Sequence, residues 1–291
     1  VIDDQGEIAA FCDSTDQWMP LVCTMNVTVL TEKTRGLFAW ELPELEKNVA
    51  SISPGADGLL FLPYLHGERT PNLPNGKAVL YGLTDENMTP AHMARAAMEG
   101  VTLGLGHGMQ RFSDLGVSPT EIRLTGGGSK SSVWRQIMAD ALGSATVCLQ
   151  TAEGASLGAA LQAAACHTGG GKFDRSGLES LTSRIVAVDQ ASRCEPHPEA
   201  QAAYAEQRDR QMTLTRELTA GGWWSRAAIP PPPLLPQFIV QQPHKKGAQW
   251  PQLNNFFSSR DEPMQGGFIC KEEAATPPRI APIFRGSQNI G

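Results

Sequence analysis

The chain has 291 residues, with 24 basic and 30 acidic side chains and a net charge of −6. Hydrophobic residues make up 41% and charged residues 19%, enough apolar material for a core, which excludes a wholly disordered chain. The acidic balance argues against a nucleic-acid binder, which needs a basic face, and no apolar run approaches the ~18–20 residues that span a bilayer.

In chain order, Val1-Ile2-Asp3-Asp4 offers neither the basic nor the apolar region of a signal peptide, and reads as a start inside a larger protein. Residues 21–30, LVCTMNVTVL, are rich in Val and Thr, but their periodicity leaves strand and helix both open. Residues 58–62, GLLFL, form a short apolar run ended by Pro63 and predict a buried strand, with Asp57 in a turn role. From Ala91 the spacing of Met93, Ala97, Val101, Leu105, Met109 and Phe112 predicts a helix with one apolar face. Thr89 and Pro90 supply its N-cap and first turn, and Gly116 its end.

Residues 122–166 are the most informative. Ile122-Arg123-Leu124 reads as a strand, Gly126-Gly127-Gly128 as a turn, and Ser131 to Leu142 as a helix closed by Gly143. Ala145 to Leu149 is a second strand and Gly154 to Ala165 a second helix, which together define an α/β layer fold. A strand feeding a glycine turn and a helix lets a ligand approach the backbone. Three readings compete there. The phosphate loop G-x-x-x-x-G-K-[ST] fails on spacing, because Ser129 precedes Lys130-Ser131; the dinucleotide fingerprint G-x-G-x-x-G fails at Ser131; a plain tight turn stays open.

The six cysteines, Cys12, Cys23, Cys148, Cys166, Cys194 and Cys270, form no C-x-x-C pair and read as reduced thiols of a cytoplasmic protein. His66, His92 and His107 read as surface or packing residues, and the sequons at Asn26 and Asn87 as inconsequential. Beyond residue 225 the composition changes. Residues 225–291 hold 11 of the 21 prolines, including Pro230–Pro233. Their 7 basic and 4 acidic residues give +3, which leaves −9 on residues 1–224. This tail reads as an irregular Pro-rich segment, its proline run either solvated chain or a polyproline II ligand.

Four segments carry a resemblance. Leu62-Pro63-Tyr64-Leu65-His66-Gly67-Glu68-Arg69-Thr70-Pro71 resembles the PYL-x-GERTP loop of xylulose kinases. Ala78-Val79-Leu80-Tyr81-Gly82-Leu83, followed after eight residues by His92 to Glu99, resembles the second signature of the FGGY carbohydrate kinases. Residues 124–140, with their GGG…W-R-Q…AD pattern, and 153–160, EGASLGAA, are similar to that family's adenosine motif and the small-residue helix after it.

The resemblance implies the C-terminal half of a two-domain sugar kinase over residues 1–224. Its fold would be α/β, a ribonuclease-H-like or actin-like ATPase domain. ATP with Mg2+ and a sugar, D-xylulose by the GERTP loop or else glycerol, gluconate or another pentulose, would lie in the cleft against an N-terminal domain missing from this chain; a non-catalytic nucleotide-binding fragment is the other reading. Carried over, Gly126, Gly127, Gly128, Ser129 and Ser131 are the nucleotide-binding candidates, with Ser131 standing where some members place an Asn against the adenine. Glu68, Arg69 and Thr70 are the substrate-cleft candidates, with Arg69 either holding an anion or tying its loop by a salt bridge. No catalytic or metal-ligating residue is assigned: the family's catalytic carboxylate sits in a Gly-Asp-Asn or Gly-Asp-Gln motif, and no Gly-Asp pair occurs here.

Overall fold

The structure is a computed structural model that describes residues 3–224 apart from residues 14, 16, 152 and 173. The Pro-rich tail and Cys270 lie outside the described residues. The chain opens with an antiparallel hairpin of β1 (Ile8–Cys12) and β2 (Trp18–Val22), with Ile8 opposite Val22 and Cys12 opposite Trp18. Helices α1 (Val27–Leu37) and α2 (Leu42–Ala50) follow. The ambiguous stretch 21–30 is thus divided: strand ends at Val22 and helix begins at Val27. A second hairpin joins β3 (Leu60–Pro63) to β4 (Ala78–Tyr81).

The organising element is α3 (Pro90–Asp114). Thr89 Oγ accepts from the His92 N–H at 3.3 Å and Pro90 occupies the first turn, as the sequence predicts. The single apolar face does not hold. Every residue from Ala94 to Leu103 is buried, because α1, α2, α4 (Ser132–Leu142), α7 (Pro198–Ala220) and β3 all pack on this helix. Over this wrapped stretch the helix has no polar face, so its buried Arg95 and Glu99 pair with each other. Tyr204 bonds both of them, at 2.7 Å from Arg95 Nη2 and 2.9 Å from Glu99 Oε1. At Gly100 the approach of β3 is so close that a Cβ would run into the Phe61 carbonyl oxygen.

After α3 come β5 (Glu121–Leu124), a 3-10 turn (Gly127–Lys130), α4 and β6 (Ala145–Leu149). Then α5 (Gly154–Thr168), α6 (Arg175–Ile185) and β7 (Val188–Cys194) lead into α7. β5 and β6 are parallel, Glu121 opposite Ala145, and β7 adds antiparallel to β6. The β5–turn–α4–β6 unit is the crossover that the sequence predicts, with α4 starting one residue later than Ser131. On α4, Trp134, Ile137, Met138 and Ala141 are buried and Val133 is half-buried. Gly143 takes the left-handed conformation expected of a C-cap, with φ 67°. No described helix is long and apolar enough to cross a membrane.

Candidate functional site

The parallel strand β5 delivers the chain to Thr125 and then to Gly126, which turns it at φ 86°. That positive φ is cheap only for glycine. The following 3-10 turn is held from within by Ser129 Oγ, which donates to Gly126 O at 2.7 Å. Arg135 of α4 reaches back and donates from Nη1 to Ser129 O at 2.8 Å and Lys130 O at 3.3 Å. Ser131 is the N-cap of α4; its Oγ accepts from Trp134 N–H at 3.2 Å. Trp134 is buried, and its Nε1–H donates to Thr102 Oγ at 3.0 Å, pinning α4 to α3.

Above this turn lies a cavity of about 540 Å³, walled by α1 and α2 and floored by Gly127, Gly128, Ser131, Met98 and Trp134. Nothing stands within 4 Å of where a Gly127 side chain would begin, so the corner is open rather than plugged. Thr28, Thr31 and Glu32 of α1, with Leu42, Leu45 and Glu46 of α2, complete an apolar slot with a polar rim. Such a lining suits a flat, partly polar ligand. Of the five nucleotide-binding candidates, Gly127, Gly128 and Ser131 line this cavity. Gly126 and Ser129 do not; they shape the turn. Ser131 Oγ gives one lone pair to the helix cap and keeps its second lone pair and its proton. The sequence reading missed Arg135, whose strap on the turn follows from the W-R-Q spacing, and Glu46, which no motif marks. Among the described residues no group of three or more His, Cys, Asp or Glu could hold a metal ion.

The three cleft candidates do not form one site. Glu68 is only 5% exposed. Its Oε1 accepts from the N–H groups of Met25 and Arg69 at 2.7 and 2.8 Å, and its Oε2 from Asn26 Nδ2 at 3.0 Å. Asn26 Nδ2 also donates to Gly67 O at 2.7 Å. Glu68 therefore anchors the residues that enter α1, a wall of the cavity. Thr70 is fully buried and donates to Glu7 O at 3.2 Å. Arg69 is exposed and makes no ion pair among the described residues.

The histidines have closer partners than packing alone implies. His92 bridges Asp57 Oδ2 at 2.9 Å and Thr89 Oγ at 2.7 Å, and His107 meets Glu7 at 3.1 Å. Asp57 sits in a turn, as expected, at φ 49°. Both sequon asparagines, Asn26 and Asn87, are buried. The five described cysteines are free thiols. A second, wider cavity of about 1030 Å³ borders Arg95, Gln136, Asp140 and His197. Its Asp140 is already engaged by the His197 N–H at 2.7 Å and Gln136 Nε2 at 2.9 Å, a structural tie between α4 and the entry to α7.

The parallel β5–β6 pair, the glycine turn and the helices around it form a mixed α/β domain with an open slot over the turn. Residues 24–166 match the C-terminal domain of the FGGY family of carbohydrate kinases, and the chain belongs to that family. It is 38% identical over 211 residues to a xylulose kinase of Haemophilus influenzae, covering 72% of this chain and 42% of that relative. A gluconokinase of Bacillus subtilis is 40% identical over 119 residues, 40% of this chain and 23% of the relative. The crystal structure of xylulose kinase from Bifidobacterium adolescentis superposes with a TM-score of 0.56 at 32% identity, over 71% of this chain and 39% of that one. The fold is accordingly the actin-like ATPase fold of these sugar kinases. The chain spans less than half the length of these relatives.

Proposed function

We propose that this chain is the nucleotide-side domain of an ATP-dependent sugar kinase that phosphorylates the 5-hydroxyl of D-xylulose. The observation that carries the reading is the open cavity of about 540 Å³ over Gly127 and Gly128. The adenosine moiety would lie on this backbone floor, between the apolar side chains of α2 and Trp134. The chain's own residues would bind and orient the nucleotide and exclude water from one side of it. A carboxylate to take the sugar proton would come from the N-terminal domain, since this sequence holds no Gly-Asp motif. The described residues offer no cluster for Mg2+, so no step is assigned to a metal held by this chain.

The exposed Phe11, Trp18 and Met19 on the first hairpin support an apolar partner face of the kind an N-terminal domain would cover. Free thiols support a reducing, cytoplasmic setting. The gluconokinase relative favours a second reading, a kinase for another sugar or polyol; a panel of D-xylulose, gluconate and glycerol on the protein extended by its N-terminal domain separates the two. The purified chain is expected to bind ADP in a calorimetric titration and to show no turnover of ATP with D-xylulose. Absence of ADP binding at millimolar concentration overturns the nucleotide assignment; robust phosphorylation by the chain alone overturns the division of labour.

A further inference from the structure

Three charged side chains line the cavity above the glycine turn: Glu32, Glu46 and Lys130. Their surroundings differ. Glu32 is exposed and neutralised by Arg35, with Oε2 at 2.7 Å from Nη2 and also bonded to Nε at 3.0 Å. Lys130 is exposed. Glu46 is half-buried and forms no ion pair among the described residues. It is nevertheless held in place. Its Oε1 accepts from the Ser132 N–H at 3.0 Å, across 86 residues of sequence, at the first turn of α4. One oxygen is thereby fixed, and Oε2 accepts no hydrogen bond from the described residues.

Two consequences follow. The first-turn amide that an anion would use is already taken by a carboxylate, and a phosphate beside Glu46 would meet like charge. The phosphates of a bound nucleotide would thus be turned away from this wall. What the free Oε2 lacks is a donor, and a pair of hydroxyls supplies donors without charge. A carboxylate accepting from the ribose hydroxyls is a recurrent solution to nucleotide recognition.

We infer that Glu46 is a specificity-determining residue that reads the vicinal ribose diol of the nucleotide, so that the cavity selects ribonucleotides over deoxyribonucleotides. This rests on the nucleotide reading of the cavity given above. Glu46 joins α2 to the start of α4 through one oxygen and addresses the ligand through the other, so a single side chain both sets the slot and tests what enters it. The buried apolar neighbour Leu45 strengthens the contact by lowering the local dielectric.

The test uses the full chain and calorimetric titration with ADP, 2′-deoxy-ADP and 3′-deoxy-ADP. Hydrogen bonds to a charged group predict that loss of either hydroxyl weakens binding roughly ten- to a hundredfold. Glu46→Gln retains an Oε1 that accepts from Ser132 N–H, but places an NH2 where the second acceptor stood. It is expected to keep the wild-type melting temperature within a few degrees, to weaken ADP by a similar factor, and to bind ADP and 2′-deoxy-ADP alike. Equal affinity of the wild-type chain for all three nucleotides overturns this inference while leaving the cavity a nucleotide site. Undiminished ADP affinity in a folded Glu46→Gln chain does the same. No binding of any of the three overturns the nucleotide reading and this inference with it. The wild-type series needs no variant, so a Glu46→Gln chain that fails to fold still leaves a decisive comparison.

Discussion

Trp134 lies directly beneath Gly128: a Cβ on that glycine would stand 3.0 Å from the indole Cζ3. The ring cannot yield easily, because its Nε1–H is bonded to Thr102 at 3.0 Å inside the core. Gly127, one residue earlier, has open space where a side chain would go. The two glycines therefore separate packing from binding. Gly128→Ala is expected to lower stability by about 1–3 kcal/mol through overpacking. Gly127→Val is expected to melt close to wild type and to lose ADP affinity by filling the floor of the cavity. Thermal melts and ADP titrations of the two variants check both halves.

The same pair shows how far the sequence could be read. The run Gly126–Gly128 announces a turn before a helix, because only glycine turns the chain there at φ 86°. Spacing alone could not say whether the third glycine serves a ligand or the indole. The β5–turn–α4–β6 unit was legible from short apolar runs and punctuation. The face of α3 was not: periodicity assumes one solvated side, and between Ala94 and Leu103 neighbouring elements cover this helix all round. Glu68 stands in a motif yet is consumed by the N–H groups of Met25 and Arg69, while Glu46 stands in none and reaches the cavity. Such long-range side-chain contacts leave no local periodic trace.

Glu68 and Arg69 are neighbours with opposite duties. Truncating Glu68 to Ala removes the acceptor of the Met25 N–H and leaves Asn26 Nδ2 only its bond to Gly67 O, at a cost of about 1–3 kcal/mol. Hydrogen exchange at residues 25–28 is expected to accelerate, since the entry to α1 loses its anchor. Arg69→Ala removes an exposed side chain without an ion pair among the described residues, and stability is expected to change by less than about 0.5 kcal/mol. A large loss of stability on replacing Arg69 contradicts this assignment.

Arg95, Glu99 and Tyr204 form the polar knot of the core. Burial pushes the Glu99 carboxyl above its ordinary range, opposed by the Arg95 guanidinium. Glu99 Oε1 also accepts from Gly55 N–H at 3.0 Å, and Gln207 Nε2 donates to Gly55 O at 2.8 Å, so one knot ties α3, α7 and the turn before β3. Arg95→Met leaves a buried carboxylate unpaired and is expected to cost about 3–5 kcal/mol. Replacing Arg95 and Glu99 together by Met and Leu is expected to recover part of that loss, because neither charge then remains buried alone. Denaturant melts of the single and double variants measure the difference. Equal destabilisation in both denies the coupling.

Asp3 ties the N-terminal segment to α3, and its acidity gives a pH signature. Its carboxylate accepts from the Ile8 and Glu7 N–H groups at 2.7 Å each, from Gln5 N–H at 3.2 Å and from Arg111 Nη2 at 2.7 Å. These bonds, the Ile8 amide foremost, hold its pKa down to about 2 against an ordinary 3.8. A carboxyl depressed in the folded state binds its proton more weakly there than in the unfolded chain. Its contribution is therefore complete above about pH 4, where the unfolded chain is ionised, and is lost as pH falls toward 2. Asp3→Asn removes that ionisation. The stability difference between wild type and Asp3→Asn, measured by denaturant melts, is expected to be constant from pH 7 to about 5 and to shrink between about pH 4 and 2. A difference that stays flat through this acid window denies the anchoring role of the ionised carboxylate and leaves Asp3 only its neutral hydrogen bonds to the loop that enters β1.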